Sequence, residues 1–218
     1  MSKLRNIRID IVSDVVCPWC IIGYRRLEEA LGAFEGKINV ELYWQPFQIN
    51  PDMPSEGENL GEHLTKKYGL TSEQSQANRE NLIQIGESLD FTFNFTPEFK
   101  IYNTFKAHQL LHWAAKQGRQ HALKLALFDA YFTEQKDPSD IELLVTAAMQ
   151  VGLDGEEARA VLTDERFADD VKMNQQTWTN SGIQSVPSIV LDQKYLISGA
   201  QDPETFIQSI QQVLNDAR

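Results

Sequence analysis

The stretch from Ser13 to Leu31 reads SDVVCPWCIIGYRRLEEAL and contains both cysteines of the chain, Cys17 and Cys20. It follows an alternating apolar run over residues 7–12, which predicts a β-strand. From Pro18 onward, apolar residues recur every three or four positions, which predicts a helix. A pair of cysteines separated by two residues is a moderate signal of redox chemistry, and its place between a strand and a helix makes that signal strong.

The position of Pro18 indicates a role for each cysteine. Proline is favoured at the first position of a helix because its missing N–H group would be unpaired there. Cys17 would then cap the helix, where free backbone N–H groups and the positive end of the helix dipole favour a thiolate. Cys20 follows on the same helix face. We therefore expect Cys17 to be the exposed nucleophile and Cys20 the shielded resolving cysteine.

The order of the predicted elements indicates an α/β fold. A second strand over residues 39–47 completes a β-α-β opening, with a connection long enough for a parallel crossover. Strands return in VPSIVL (186–191) and YLIS (195–198), which flank a short polar turn and predict a hairpin. A final helix is predicted to begin at Pro203.

Helical periodicity dominates the intervening sequence. Thr71 with Gln74, and Ser139 with Glu142, have the spacing of capping boxes and predict two helix starts. We therefore expect a discontinuous sheet domain, residues 1–50 and 182–218, that is interrupted by a helical insertion over residues 51–181.

Composition excludes several classes of partner. The net charge of −11 argues against nucleic acids and anionic membrane surfaces, because both require basic protein surface. Charged residues interrupt the N-terminal sequence, and no apolar stretch approaches the ~20 residues of a membrane span. The sequence therefore predicts a cytoplasmic protein, in which two cysteines indicate chemistry or metal binding rather than a structural disulfide.

Several stretches together resemble the thioredoxin superfamily, within it the DsbA-like branch, and more narrowly its FrnE-like cytoplasmic members. They are SDVVCPWCIIGYRRLEEAL, NTFKAHQLLHWA (103–114), SVPSIVL (185–191) and LISGAQ (196–201). The resemblance implies a thioredoxin-like fold and a thiol–disulfide oxidoreductase that acts on protein or small-molecule disulfides. It implies a redox-active disulfide and no further cofactor, with glutathione as a candidate reductant.

The same resemblance assigns roles to individual residues. Cys17 would attack disulfides, Cys20 would resolve the mixed disulfide, and the loop with Pro187 would lie across the cysteines and hold the substrate backbone. We expect the peptide bond before Pro187 to be cis. The residues expected to contact substrate are Pro18, Trp19 and Val186.

The sequence departs from the family pattern in three ways. Many thioredoxin relatives carry a buried acid six residues before the first cysteine, where this chain has Ile11. Asp14 is a candidate proton acceptor for Cys20, and it is equally suited to capping the turn.

The strongly oxidising DsbA relatives carry a histidine between the cysteines at the position of Trp19. A tryptophan stabilises a thiolate less well, which predicts a potential between those of thioredoxin and DsbA. The additional cysteine pair of some FrnE-like proteins is absent.

Other interpretations of these residues remain open. His108 and His112 have a chelating spacing on a predicted helix and, with the two cysteines, would make a Cys2His2 zinc set. The long separation of the two pairs favours a packed helix face instead. 2-Hydroxychromene-2-carboxylate isomerases and kappa-type glutathione transferases share the branch, but they typically have serine where Cys17 stands. A peptide-binding module without enzymatic activity is a further alternative.

Overall fold

The computed structural model describes residues 4–216. In chain order, its elements are β1 (Arg5–Ser13), α1 (Pro18–Gly32), β2 (Ile38–Pro46), β3 (Glu58–Asn59), α2 (Leu60–Tyr68), α3 (Ser72–Ser88), β4 (Lys100–Ile101), α4 (Phe105–Lys116), α5 (Gln120–Phe128), a π-helical turn (Asp129–Thr133), α6 (Ile141–Gln150), α7 (Gly155–Asp164), α8 (Ala168–Asn180), β5 (Ser188–Leu191), β6 (Tyr195–Ser198) and α9 (Pro203–Asp216). Within this part of the chain, no helix has both the length and the apolar character that crossing a membrane requires.

The described chain divides into two compact units. The first comprises the residues up to Ile49 and from Lys172 onward, and the second comprises Asn50–Val171. The first unit contains a four-stranded sheet of order β2-β1-β5-β6. β1 and β2 are parallel, whereas β5 pairs antiparallel with β1 and with β6. The predicted α/β class, with a β-α-β opening and a C-terminal hairpin, is confirmed.

The alternating pattern of β1 explains how the sheet packs. Ile7, Ile9 and Ile11 are fully buried, as expected when successive side chains of a strand point to opposite faces. On α1, Tyr24 packs its ring against that of Trp44 on β2, with the ring centroids 5.4 Å apart. These contacts fix α1, and with it the two cysteines, against the sheet.

Strand pairing brings the two distant halves of the site together. Val12, near the end of β1, lies opposite Ser188, the first residue of β5. Because these strands are antiparallel, the segment that leaves β1 and the segment that enters β5 meet at the same end of the sheet. Cys17 and the Val186–Pro187 peptide are therefore neighbours despite their separation in sequence.

An aromatic cluster forms much of the interior of the second unit. Phe91 and Phe93 are both buried, and each makes edge-to-face contact with Phe132 in the π-helical turn. Such contacts add to the stabilisation from apolar burial. The residues between α3 and α4 are therefore ordered by aromatic packing, although only two of them, Lys100–Ile101, form a strand.

The two predicted capping boxes had different outcomes. Thr71 caps α3, and its side chain and that of Gln74 exchange hydrogen bonds with each other's backbone N–H groups. The prediction for Ser139 was wrong, because the cap of α6 is Asp140, whose carboxylate accepts from the backbone N–H of Glu142. Ser139 instead donates its hydroxyl and its backbone N–H to Asp137.

The boundary between the units falls within α8, ten residues before the sequence-based boundary at residue 181. Val171 is fully buried and ends the second unit. Later in the helix, Trp178 packs against Val12, Ile183 and Val190, all in the sheet unit. This packing explains why the second half of α8 belongs with the sheet, which helical periodicity alone does not indicate.

Candidate active site

The two cysteines lie at the start of α1. Cys17 is the N-cap, with the extended backbone angles φ −94° and ψ 111°, and Pro18 occupies the first helical position. The cysteines are 3.4 Å apart, and both are free thiols. To form a disulfide, the two sulfur atoms need only move closer to bonding distance. The pair can therefore form an intramolecular disulfide.

Cys17 is less accessible than the sequence predicted. Its exposed fraction is 4%, against 0% for Cys20, so the order of exposure is as expected but neither residue is exposed. The loop that precedes the C-terminal hairpin covers Cys17, whose thiol donates to the backbone carbonyl of Val186 at 3.8 Å. The thiol accordingly makes no capping hydrogen bond to the N–H groups of α1.

The loop before β5 has the predicted geometry. The Val186–Pro187 peptide bond is cis, which confirms the expectation. The carbonyl of Pro187 accepts a hydrogen bond from the backbone N–H of Gly199 at 2.8 Å, and the hydroxyl of Ser188 donates to the carbonyl of Ser185 at 2.9 Å. The loop is thus tied to Gly199, which directly follows β6 and belongs to the LISGAQ stretch.

Two residues of α1 contact this loop region and were missed by the sequence analysis. A β-carbon built on Gly23 would lie 3.1 Å from Cγ of Pro187 and 3.4 Å from Cα of Ala200. Arg26, one turn later, donates from Nη1 to the carbonyl of Ala200 at 2.7 Å. A glycine inside a helical pattern was the available signal, because such a glycine often marks a close approach of another segment.

The acidic residues near the cysteines are held by specific partners. Asp14 is buried, and its carboxylate accepts from the backbone N–H of Ile49 at 2.8 Å. Asp10 is also buried, and it accepts two hydrogen bonds from the guanidinium of Arg8 and one from the amide of Gln45. Asp14 therefore stabilises the backbone after β2, while its predicted role as a proton acceptor remains a prediction.

Several large apolar side chains of the sheet unit remain at least partly accessible. Trp19 is 41% exposed, although it lies between two buried cysteines. Phe47, Trp178 and Val186 are partly buried and pack against the same small core of the sheet unit. We call these three side chains the apolar shelf. Val186, whose carbonyl contacts the Cys17 thiol, connects this shelf to the cysteines.

The histidines of the zinc hypothesis lie on α4. Nε2 of His112 is 3.3 Å from a carboxylate oxygen of Asp170, without hydrogen-bonding geometry, and the ring packs against Phe167. Burial lowers the pKa of His112, and Lys116 lowers it further, against the opposite effect of Asp170. Among residues 4–216, no group of three or more histidine, cysteine or acidic side chains is arranged to hold a metal ion.

Comparison with known proteins gives a consistent family. Residues 8–211 match the DsbA-like thioredoxin domain. A crystal structure from Streptomyces coelicolor, described as a probable DsbA oxidoreductase, is 36% identical, with a TM-score of 0.89 over 96% of this chain and 90% of that one. The uncharacterized Bacillus subtilis protein YwbO is 27% identical over 206 residues, which are 94% of this chain and 96% of that protein.

The fold is also shared with an enzyme of different activity. The structure of a 2-hydroxychromene-2-carboxylate isomerase has a TM-score of 0.70 and 11% identity, over 96% of this chain and 97% of that one. At this identity the likeness concerns the fold alone. The activity has to be argued from the residues of the site.

Proposed function

The chain belongs to the DsbA-like thioredoxin domain family, and on that basis we propose that it is a thiol–disulfide oxidoreductase whose redox couple is Cys17 and Cys20. One observation carries the proposal. Two free cysteines lie 3.4 Å apart at the start of a helix, and the first of them contacts the carbonyl of the residue before Pro187. Two thiols in this relation can exchange electrons with a disulfide without any further cofactor.

In the proposed reaction, each cysteine performs one displacement. The thiolate of Cys17 attacks one sulfur of the substrate disulfide, forms a mixed disulfide and releases the other substrate sulfur as a thiolate. The thiolate of Cys20 then attacks the sulfur of Cys17 and releases the second substrate thiolate, which leaves a Cys17–Cys20 disulfide. The substrate gains two electrons, and its two thiolates take up protons from water or from nearby groups.

Regeneration requires a reductant, and we propose glutathione. Two glutathione molecules would reduce the Cys17–Cys20 disulfide in two successive displacements and leave as glutathione disulfide. The reverse sequence would oxidise substrate thiols, so the direction depends on the potential of the couple and on that of its surroundings. We propose a reducing, cytoplasmic setting of the FrnE-like type, in which reduction or isomerisation predominates.

The surface beside the cysteines supports polypeptide disulfides as the substrate class. The exposed ring of Trp19 and the apolar shelf would contact side chains that flank a substrate cysteine. The backbone around Val186 would hold the substrate main chain. A small symmetric disulfide would leave most of this surface unused, whereas an unfolded or partly folded protein would cover it.

The isomerase remains the second candidate because it shares the fold. Cys17 argues against it, since the isomerases to which this branch is similar typically have serine at that position. Retention of both thiols 3.4 Å apart favours dithiol chemistry.

Glutathione-coupled reduction of a peptide disulfide tests the proposal. We expect turnover by the wild-type protein, none by Cys17→Ser, and an accumulating mixed disulfide with Cys20→Ser, because nothing then resolves it. Mass spectrometry identifies the adduct and its position. Equal adduct formation by the two variants would contradict the assigned roles. Isomerisation of 2-hydroxychromene-2-carboxylate without peptide turnover would favour the second candidate.

A further inference from the structure

The helix that carries the two cysteines also carries a glycine that is placed against the opposite half of the site. Gly23 is buried on α1, three residues after Cys20. It lies within a regular helix, where glycine is less favourable than alanine. Gly23 does not adopt a left-handed conformation, so its distinguishing property there is the missing β-carbon, which allows another segment to approach closely.

The approaching segment is the loop that contacts Cys17. A β-carbon at Gly23 would lie 3.1 Å from Cγ of Pro187, and 3.4 Å from both Cα and Cβ of Ala200. The shortest of these contacts is tighter than ordinary van der Waals contact, so an added methyl group would press on the ring of Pro187. The nitrogen of that ring is bonded to the carbonyl carbon of Val186, whose oxygen accepts from the Cys17 thiol at 3.8 Å.

A polar contact on the same helix holds the loop in this position. Arg26 donates to the carbonyl of Ala200 at 2.7 Å and forms an ion pair with Asp202 at 3.2 Å. Ala200 follows Gly199, whose backbone N–H donates to the carbonyl of Pro187. The loop is therefore attached to α1 through the 199–200 turn and also touches it directly at Gly23.

We propose that Gly23 is a positioning residue that sets how closely the Val186–Pro187 loop approaches Cys17, and thereby sets the rate of exchange with polypeptide disulfides. This inference rests on the proposed function. Gly23 would touch neither substrate nor sulfur. It acts through the loop, which both covers Cys17 and presents the backbone expected to hold a substrate chain.

Two probes with the same leaving group separate these effects. The first is a peptide whose single cysteine is disulfide-linked to thionitrobenzoate, and the second is dithionitrobenzoate itself. In a Cys20→Ser background, the Cys17 thiolate attacks the peptide sulfur, forms a Cys17–peptide disulfide and releases thionitrobenzoate. With the second probe, the same thiolate forms a disulfide with one thionitrobenzoate and releases the other. Only the first probe needs the loop to hold a peptide backbone.

Gly23→Ala should slow reaction with the peptide probe roughly tenfold, because a small displacement of a positioning group has a large effect on rate. Reaction with dithionitrobenzoate should not be slowed, since moving the loop uncovers Cys17. Gly32→Ala is the matched control, because Gly32 lies on the same helix with no heavy atom within 4 Å of the added β-carbon. It should leave both rates unchanged.

The remaining outcomes also decide the question. Equal slowing with both probes, or no change with either, would overturn the inference. If Gly23→Ala does not fold, Arg26→Met decides, because it removes the bond to Ala200 without adding bulk near Pro187. Arg26→Met should slow only the reaction with the peptide probe. If Arg26→Met and its Cys20→Ser parent react with that probe at equal rates, the inference is overturned. Failure of the parent Cys20→Ser protein to react with the peptide probe would instead count against the proposed function.

Discussion

Asp14 is the residue whose role the sequence left most open. Its buried carboxylate accepts the backbone N–H of Ile49 at 2.8 Å, which accounts for a structural role. The thioredoxin-type acid six residues before the first cysteine is replaced by Ile11, which is fully buried in β1. Asp10 is committed to Arg8 and Gln45. Asp14 is therefore the acid we propose as proton acceptor for Cys20.

Asp14→Asn separates the two roles of this side chain. The amide oxygen of asparagine can still accept from Ile49, so we expect the protein to fold with nearly wild-type stability. An amide is not a useful base, so release of the mixed disulfide by Cys20 should slow by about 10²-fold. Rapid mixing with the thionitrobenzoate peptide, followed by detection of peptide release, measures this step. An unchanged release rate would leave Asp14 with a structural role only.

At this scale, the sequence indicated the residues that we propose to react and missed the residues that contact the loop beside them. Cys17, Cys20 and Pro187 were identifiable because their residue types and positions are tied to a particular chemistry. Gly23 gave only the weak signal of a glycine inside a helical pattern, and Arg26 gave none, because their importance depends on the contact of α1 with the segment around Ala200. That contact arises only after the chain has folded, and no local pattern encodes its distance.

Among the elements, α1 and the hairpin were predicted well because their signals are local. Pro18 begins α1, and the strands β5 and β6 flank a turn in which Asp192 and Gln193 have positive φ values. The start of α6 was misplaced by one residue, because Asp140 competed successfully with Ser139 for the capping position. The two-residue strands β3 and β4 carry too few residues for a periodic signal.

Helix α4 provides a test of a half-buried titratable group, His112. Burial and Lys116 together lower the pKa of His112, so the folded protein favours the neutral ring. The unfolded chain binds a proton more readily near the usual value of about 6.5. His112 therefore contributes stability that is present above that pH and is lost as the pH falls through the folded pKa.

Replacing His112 by asparagine should remove this contribution. We expect the free energy of unfolding of the wild-type protein to fall more steeply than that of the variant between about pH 7 and pH 5. Urea denaturation at several pH values measures the two slopes. The lowered carboxyl pKa values elsewhere in the chain act mainly below this window. Parallel pH profiles for the two proteins would contradict the account.

For the whole molecule, the order of elements predicted the architecture but not the boundary of its units. Runs of strands before and after a long helical region indicated an interrupted sheet domain. The second boundary lies inside α8, because Trp178 packs on Val12, Ile183 and Val190. A helix shared by two units has the same periodicity throughout, so its division depends on tertiary packing.

The redox potential is a property of the couple as a whole. Trp19, between the cysteines, is partly exposed and carries a single indole donor. The histidine of strongly oxidising relatives can hold a positive charge or donate to the thiolate. A less stabilised thiolate means a less stable reduced form, which makes the potential more negative. We therefore predict a potential of about −150 to −250 mV, between those of DsbA and thioredoxin.

The central claim is that Cys17 and Cys20 cycle between two thiols and one disulfide. Equilibration of the wild-type protein with glutathione buffers of graded ratio, followed by acid quenching and intact-mass measurement, tests it most directly. The account predicts a single two-electron transition within the stated range, with the loss of two hydrogen atoms and no such transition in Cys17→Ser. A potential near −120 mV would contradict only the argument from Trp19 and would leave the central claim intact. Failure to form the Cys17–Cys20 disulfide at any glutathione ratio would contradict the central claim.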